Sequence, residues 1–307
     1  MPQKKYDLFR IIKRSYKRRG SRRRGAVSLP LATRIGVVAP ASRINENTAE
    51  RVRAIGTEFG ADLFFHPQCF LTCGHFAGED SMRSDAFVEV ANNPSVDALW
   101  WARGGYGANR IVGNVLPRLN EVARHKLYLG YSDAGFLLSA LYNAGFRVAH
   151  GPVARDLERE GGQAAIARAL RFLTGKATLG DLEPSVHDGL PLAAFNLTIL
   201  SHLLGTPWEP NLASHILLLE DVSEPMYAVD RALFHVTSSP GIRKVAGIKL
   251  GRISDVPPND PDFGQTEDQV TRHWCTVNAI PYLGRADIGH DAENKIVPFG
   301  AGSPELS

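Results

Sequence analysis

The sequence predicts an α/β protein with an N-terminal, mostly parallel sheet covered by helices on both faces and a smaller C-terminal domain of α/β or β-rich type. Three observations carry this prediction. From Arg34 to Pro152, short apolar runs alternate with amphipathic stretches, at a spacing that builds right-handed crossovers and parallel strands. Polar and glycine-rich residues collect where those runs end, at Ala41-Ser42, Gly104-Gly105, Ser132-Asp133 and His150-Gly151, and open parallel sheets place their sites outside these carboxyl ends. After a turn-rich stretch at 174–191 the pattern changes, and a second group of apolar runs begins.

The elements follow in order. Residues 34–40 read as a buried strand stopped by Pro40, and 46–59 as a helix capped by Asn45 or Asn47. Strand 62–65 precedes helix 81–92, which ends at Asn92-Asn93-Pro94. Strand 97–101 runs into Arg103-Gly104-Gly105-Tyr106-Gly107, strand 126–130 into helix 133–143, and strand 147–152 completes the first half. Helix 163–173 leads to the turn-rich stretch. The second half offers an apolar segment at 192–204, strand 215–220 ending in an acid, an amphipathic stretch at 226–238 and strand 244–251. A polar, proline-rich loop follows at 255–268. These readings divide the chain into a basic tail (1–29), a first domain (30–175), a linker (176–190) and a second domain (191–307).

Composition narrows the function classes. Apolar residues make up 44% and charged residues 22%, as in a chain with a substantial core. No apolar run reaches the roughly 20 residues that span a bilayer, and no secretory h-region follows the basic start, so a cytoplasmic location is expected. The net charge of +3 conceals an asymmetry: eleven of the basic residues precede Ala26 against a single acid, Asp7. The charge therefore describes a self-repelling tail, and no stable nucleic-acid partner is expected; the tail is at most a contact for an anionic surface. Three cysteines do not suggest a disulfide framework. Cys69, Cys73 and His75 lie close in sequence, but no second ligand pair follows, as a zinc site would require, and no metal is expected.

The chemistry concentrates at Gly130-Tyr131-Ser132-Asp133-Ala134, where a strand runs straight into a serine and a helix begins at once. This is the layout of a nucleophile elbow, with the first helical N–H groups available to a developing oxyanion. A serine that merely caps the helix fits the local pattern equally well. A nucleophilic serine needs a base, and the base needs an orienting acid. Of ten histidines, His290 stands out among the turn formers of Asp287-Ile288-Gly289-His290-Asp291. Glu220 closes an apolar run, where a carboxylate needs a partner; an imidazole would serve, as would Arg231 or Arg252, and Asp221 competes for the same role. The glycines at 104, 105 and 107 let backbone approach a ligand, and neither phosphate-loop nor dinucleotide-loop spacing is present.

Taken together, these pieces resemble the LD-carboxypeptidases, the serine peptidase family that also holds the microcin-immunity peptidases. The shared elements, in chain order, are Gly36-Val37-Val38-Ala39-Pro40-Ala41-Ser42, Gly78-Glu79-Asp80 with Arg83 and Asp85, Ala102-Arg103-Gly104-Gly105-Tyr106-Gly107, Gly130-Tyr131-Ser132-Asp133 and His150-Gly151-Pro152. Further along come Asn196-Leu197-Thr198, Gly205-Thr206-Pro207, Leu219-Glu220-Asp221-Val222, Tyr227, Asp230-Arg231 and Gly289-His290 with Asn294 and Pro298. The resemblance implies Ser132 as nucleophile, Glu220 as acid and His290 as base, with oxyanion donors on Asp133 and on Gly104 or Gly105. It implies a homodimer and no cofactor. It also implies hydrolysis of an amide between an L-centre and a terminal D-amino acid, the expected substrate being a muropeptide tetrapeptide trimmed during wall recycling. The alternative is a microcin-immunity-type peptidase cleaving peptidyl or aminoacyl nucleotide amides, and a rival from another class is a non-catalytic ligand-binding relative. Arg103 and Arg252 are the candidate carboxylate binders. Trp208 and Trp274 suit either the core or stacking on a base. Ala194-Phe195 stand where the family usually carries glycines, which is expected to reshape the site.

Overall fold

The computed structural model describes residues 32–300; the tail assigned to 1–29, and everything read from it, lies outside the described residues. The first half runs β1 (Thr33–Val38), α1 (Glu46–Glu58), β2 (Ala61–Phe65), α2 (Asp80–Asn92), β3 (Ala98–Trp101), α3 (Val112–Val115), α4 (Glu121–Arg124), β4 (Leu127–Gly130), α5 (Gly135–Asn143), β5 (Arg147–His150) and α6 (Gly162–Leu173). The second half runs β6 (Leu192–Asn196), α7 (Leu197–Leu203), β7 (Ile216–Val222), α8 (Met226–Ser238), β8 (Gly247–Ser254), α9 (Glu267–Val277), β9 (Tyr282–Arg285) and β10 (Val297–Pro298).

Two sheets result. The first has the order β10-β5-β4-β3-β1-β2 and the second β6-β7-β8-β9. Strands β1 to β5 pair in parallel, as do β6 to β9, which is the α/β architecture the alternating pattern predicted. One edge differs from a purely parallel sheet: β10, from the far end of the chain, lies antiparallel to β5, with Val297 opposite His150. A two-residue strand carries too little period-2 signal to be read in advance.

Local chemistry explains the main elements. Asn45 caps α1, accepting from the Thr48 N–H at 2.7 Å. In β1, Ile35, Val37 and Val38 are fully buried, and the glycine between them is obligatory, since a Cβ on Gly36 would lie 2.2 Å from a Val90 methyl of α2. Central strand β7 is buried on both faces. Its Leu217 and Leu219 join one apolar cluster with Trp101, Phe136 and Phe195, while Ile216 and Leu218 join the other with Ile35, Trp100 and Leu129. Both cores therefore draw on both halves of the chain, and residues 32–300 lie in one compact unit.

The segment expected to link two domains is firmly held. Asp181 pairs with Arg171 of α6, the Glu183 N–H donates to the Ile296 carbonyl at 3.0 Å, and the Ile296 N–H donates to the Asp181 carbonyl at 3.1 Å. The Ile296 side chain, fully buried, packs over Gly151 at the end of β5, where any Cβ would approach it to 2.9 Å. Among the described residues no helix is long and apolar enough to cross a membrane.

Ile296 is thus the apolar rivet between the returning chain and the first sheet. Ile296→Ala is expected to lower stability by roughly 2–5 kcal/mol, read as a fall in the urea midpoint with an unchanged m-value.

Candidate active site

The site forms where the carboxyl ends of the two sheets meet. Gly130 ends β4, and Ser132 follows in the left-handed region at φ 62°, a conformation that costs a non-glycine residue on the order of 1–3 kcal/mol and persists where the surroundings enforce it. Those surroundings are visible. A Cβ on Gly104 would lie 3.1 Å from both Cβ and Oγ of Ser132, and one on Gly130 would lie 3.0 Å from Ala134 and Trp101. Only glycines allow the loop after β3 to sit against this corner. The capping alternative is not realised: no side chain caps the short turn Ser132–Ala134 or the start of α5.

Asp133 does more than offer its N–H. Its buried carboxylate accepts from the N–H groups of Gly107 at 3.3 Å and Ala108 at 2.8 Å. Burial pushes its pKa up to about 6 against the lowering effect of those two bonds. From behind, the fully buried Arg83 donates to the Pro40 carbonyl and, at 2.9 Å, to the Gly107 carbonyl, and it pairs with Asp80. Gly105, at φ 111°, lies so close to Ser42 that a Cβ would come within 2.5 Å of its Oγ. Arg83 and the Asp133 carboxylate are positioning groups that the sequence reading did not assign; the signal for Arg83 was a charged residue on the inward face of a helix.

Glu220 lies near the end of β7, opposite Asn196 of β6, and is fully buried. Its Oε2 accepts from Nδ1 of His290, and its Oε1 and the His290 Nε2 are buried without a protein partner. Neither Arg231 nor Arg252 pairs with Glu220. Asp221, the competing acid, is committed elsewhere: it accepts from Asn196 Nδ2 at 2.7 Å and from both N–H and Oγ1–H of Thr198, fixing the start of α7. For His290, burial disfavours the cation, but the charge and hydrogen bond of Glu220 outweigh it, and the pKa rises above the ordinary 6.5. The Tyr131 ring packs 4.8 Å from the His290 ring.

Ser132 and His290 line one cleft of about 390 Å³, together with Gly104, Gly105, Arg103, Arg155 and Arg159. Arg155 is paired with Glu158 and Arg159 with Asp156. Arg103 forms no ion pair among the described residues; burial first, then repulsion from Arg155 and Arg43, lowers its pKa against the attraction of Glu158. Arg252, the other candidate anion binder, is not in the cleft. It pairs with Asp287 and Asp291 and packs on Gly289, so its charge is spent on shaping the loop that bears His290.

Three other expectations resolve here. Phe195 does not reshape the cleft: it is buried against Phe299, with ring centroids 5.2 Å apart, beneath Gly135. Trp208 lines a separate hollow of about 740 Å³ beyond Gly105 and Tyr106, while the Trp274 indole donates to Asp230 at 2.7 Å. The Cys69 thiol is buried and donates to the Val37 carbonyl, whereas Cys73 is exposed.

With this geometry established, comparison with known proteins assigns the family. Residues 35–151 match the model of the LD-carboxypeptidase N-terminal domain, and residues 191–303 that of the C-terminal domain. The chain is 30% identical over 281 residues to a Synechocystis sp. protein named provisionally as a carboxypeptidase, covering 89% of this chain and 92% of that one. It is 28% identical over 291 residues to the murein tetrapeptide carboxypeptidase of Pseudomonas aeruginosa, covering 88% and 92%. Its fold matches the microcin C7 self-immunity protein MccF solved with aspartyl sulfamoyl adenosine (TM-score 0.72, 19% identity, 91% and 98% covered). The chain belongs to the LD-carboxypeptidase family and is a hydrolase of that serine-dependent type. One expectation is corrected: nucleotide-like ligands cannot be set aside, because chains of this fold have been solved with aspartyl sulfamoyl adenosine and with adenosine monophosphate. The earlier expectation rested on where positive charge lies along the chain, and that distribution governs binding to polymeric nucleic acid. A single nucleotide asks only for one small cleft.

The Glu220 effect is separable. Glu220→Gln removes the charge and leaves burial dominant, so the His290 midpoint, above 6.5 in the native chain, is expected to fall below it. The sign follows directly: a cation that loses its counter-charge in a dry site gives up its proton at lower pH. Histidine NMR titration of the two proteins checks this.

Proposed function

Proceeding from membership of the LD-carboxypeptidase family, we propose that Ser132, His290 and Glu220 act together as nucleophile, base and orienting acid in amide hydrolysis. The observation that carries this reading is the buried Glu220–His290 hydrogen bond, which leaves His290 Nε2 without a protein partner, on a histidine that lines one cleft with the left-handed Ser132. His290 Nε2 accepts the Ser132 hydroxyl proton as Oγ attacks the carbonyl carbon. The tetrahedral oxyanion faces the N–H of Asp133 and a backbone N–H of Gly104 or Gly105. Collapse breaks the C–N bond, and His290 returns the proton to the leaving amine. Water, deprotonated by the same imidazole, then releases the acyl group.

For the substrate we infer an amide with an anionic group beside the scissile bond, held by Arg103, which lines the cleft and forms no ion pair among the described residues. An aminoacyl or peptidyl nucleotide amide takes first place. It is supported by the nucleoside sulfamoyl ligands of the matching folds and by the compactness of the cleft. A muropeptide ending in a D-amino acid is the second reading, favoured by the identity to the murein tetrapeptide enzyme; there Arg103 would meet the terminal carboxylate. The first reading expects release of amino acid from a hydrolysable aminoacyl nucleotide amide. If mass spectrometry shows only D-alanine release from a tetrapeptide, the second replaces it; cleavage of neither sinks both.

Ser132→Ala is expected to lower turnover by at least about 10³-fold while the protein still melts cooperatively. Ser132→Gly abolishes turnover as well, yet raises stability by about 0.5–2 kcal/mol, the relieved left-handed strain less glycine's extra chain entropy. Turnover assays beside thermal melts of both variants check the pair; an active Ser132→Ala protein ends the nucleophile assignment.

A further inference from the structure

The inference concerns the same site and rests on the serine–histidine–glutamate reading: we infer that Asn294 and His150 are positioning residues that set the place of the His290 imidazole relative to Ser132.

Ser132 and His290 come from opposite halves of the chain, so their spacing must be fixed by contacts between those halves. His150 ends β5 and is the register partner of Gly130, two residues before Ser132; the next N–H, that of Gly151, donates to the Gly130 carbonyl at 3.1 Å. The corner that presents the serine is therefore locked to the end of β5. Asn294 is fully buried. Its Oδ1 accepts from the N–H of Gly289, directly before His290, at 3.2 Å, and lies 3.2 Å from Nε2 of His150. One side-chain oxygen thus ties the peptide beside the imidazole to the strand beside the nucleophile.

The loop is already closed without this oxygen. Arg168 donates to the carbonyls of Ala292 and Asn294, the Lys295 N–H to the Asp287 carbonyl, and Arg252 pairs with Asp287 and Asp291. What the Asn294 amide adds is the setting of the Gly289 peptide. It does so at a cost, since its Nδ2 is buried without a partner, an expense that stability alone does not account for.

The neutral state of His150 fits this role. Burial drives its pKa down to about 4 against the attraction of Glu220 and the bond to Asn294. At neutral pH it carries one N–H and does not compete with His290 for the Glu220 charge. The groups facing the two imidazoles are Glu220 from β7, Tyr131 after β4, and Asp156 and Arg159 after β5.

The test uses the full chain, the amide that the substrate panel shows to be turned over, and a substrate-free NMR titration of His290. Asn294→Ala is expected to lower kcat about 10²-fold, the effect of a misplacement of about 1 Å, with KM within about threefold. The His290 midpoint should move down towards 6.5 as the imidazole slips from Glu220. Asn294→Asp should move it up, by placing a second carboxylate in the cluster. His150→Gln keeps an N–H donor and should recover to within about tenfold of native kcat, while His150→Leu should match Asn294→Ala. Native kcat with an unmoved His290 midpoint in Asn294→Ala overturns the inference. Should Asn294→Ala not melt cooperatively, the two His150 variants decide, and equal kcat for them overturns it. An active Ser132→Ala protein is a separate failure, that of the peptidase reading, and leaves the titration result standing.

Discussion

A fully buried carboxylate organises this structure. Glu220 sits near the end of a strand buried on both faces, where an unpaired charge would cost several kcal/mol even after relaxation. Its hydrogen-bonded partner is an imidazole seventy residues further along the chain. The constraint works in both directions. The loop from Asp287 to Asn294 must return to the sheet junction to satisfy Glu220, and Glu220 in turn fixes the imidazole by accepting at Nδ1, which leaves Nε2 unpaired on a residue that lines the cleft. Strand β10, pairing with β5 immediately after that loop, shows the same requirement met in the backbone.

The opposite wall is held by geometry more than by charge. A serine in left-handed backbone relaxes unless its neighbours forbid it. Here Gly104 and Gly130 are packed to the limit against the corner, while Arg83 and Asp133 clamp the glycine loop from two sides. The Gly107 carbonyl and the N–H groups of Gly107 and Ala108 are already paired within the protein, which holds the loop in place. Preorganisation of this kind avoids reorganising dipoles during reaction.

The strands and the longer helices of the first half were legible because buried apolar runs alternate with amphipathic stretches and glycine, asparagine and proline punctuate the gaps; α3 and α4, one turn each, were not read. Strands β9 and β10 were not read either: the half-exposed β9 has no buried apolar run, and β10 has two residues. Ser132 was legible from a strand–serine–helix junction, but its choice as nucleophile over cap needed the family resemblance, since both readings share the same local residues. Arg252 illustrates the limit from the other side. Its charge suggested an anion site, yet its partners Asp287 and Asp291 lie more than thirty residues away, and pairing across that separation leaves no local pattern. Phe195 is similar: a large residue in place of glycine looked like an intrusion on the cleft, whereas the direction of its side chain, set by strand alternation, takes it into the core.

Charge in the cleft bears on how a ligand arrives. Of the three arginines, two are neutralised by carboxylates three residues away on the same turn, and Arg103 has no such partner among the described residues. With the basic residues concentrated before Ala26, the remainder of the chain is acidic overall, so its long-range field does not draw anions in. At physiological ionic strength that field fades within about 8 Å in any case. Recognition of an anionic group therefore depends on contact. On the proposed reading, such a group desolvated against Arg103 would offset the repulsion from Arg155 and Arg43, a gain open only to a ligand small enough to reach it. On the proposed reading the cleft would select for size and for the position of one charge.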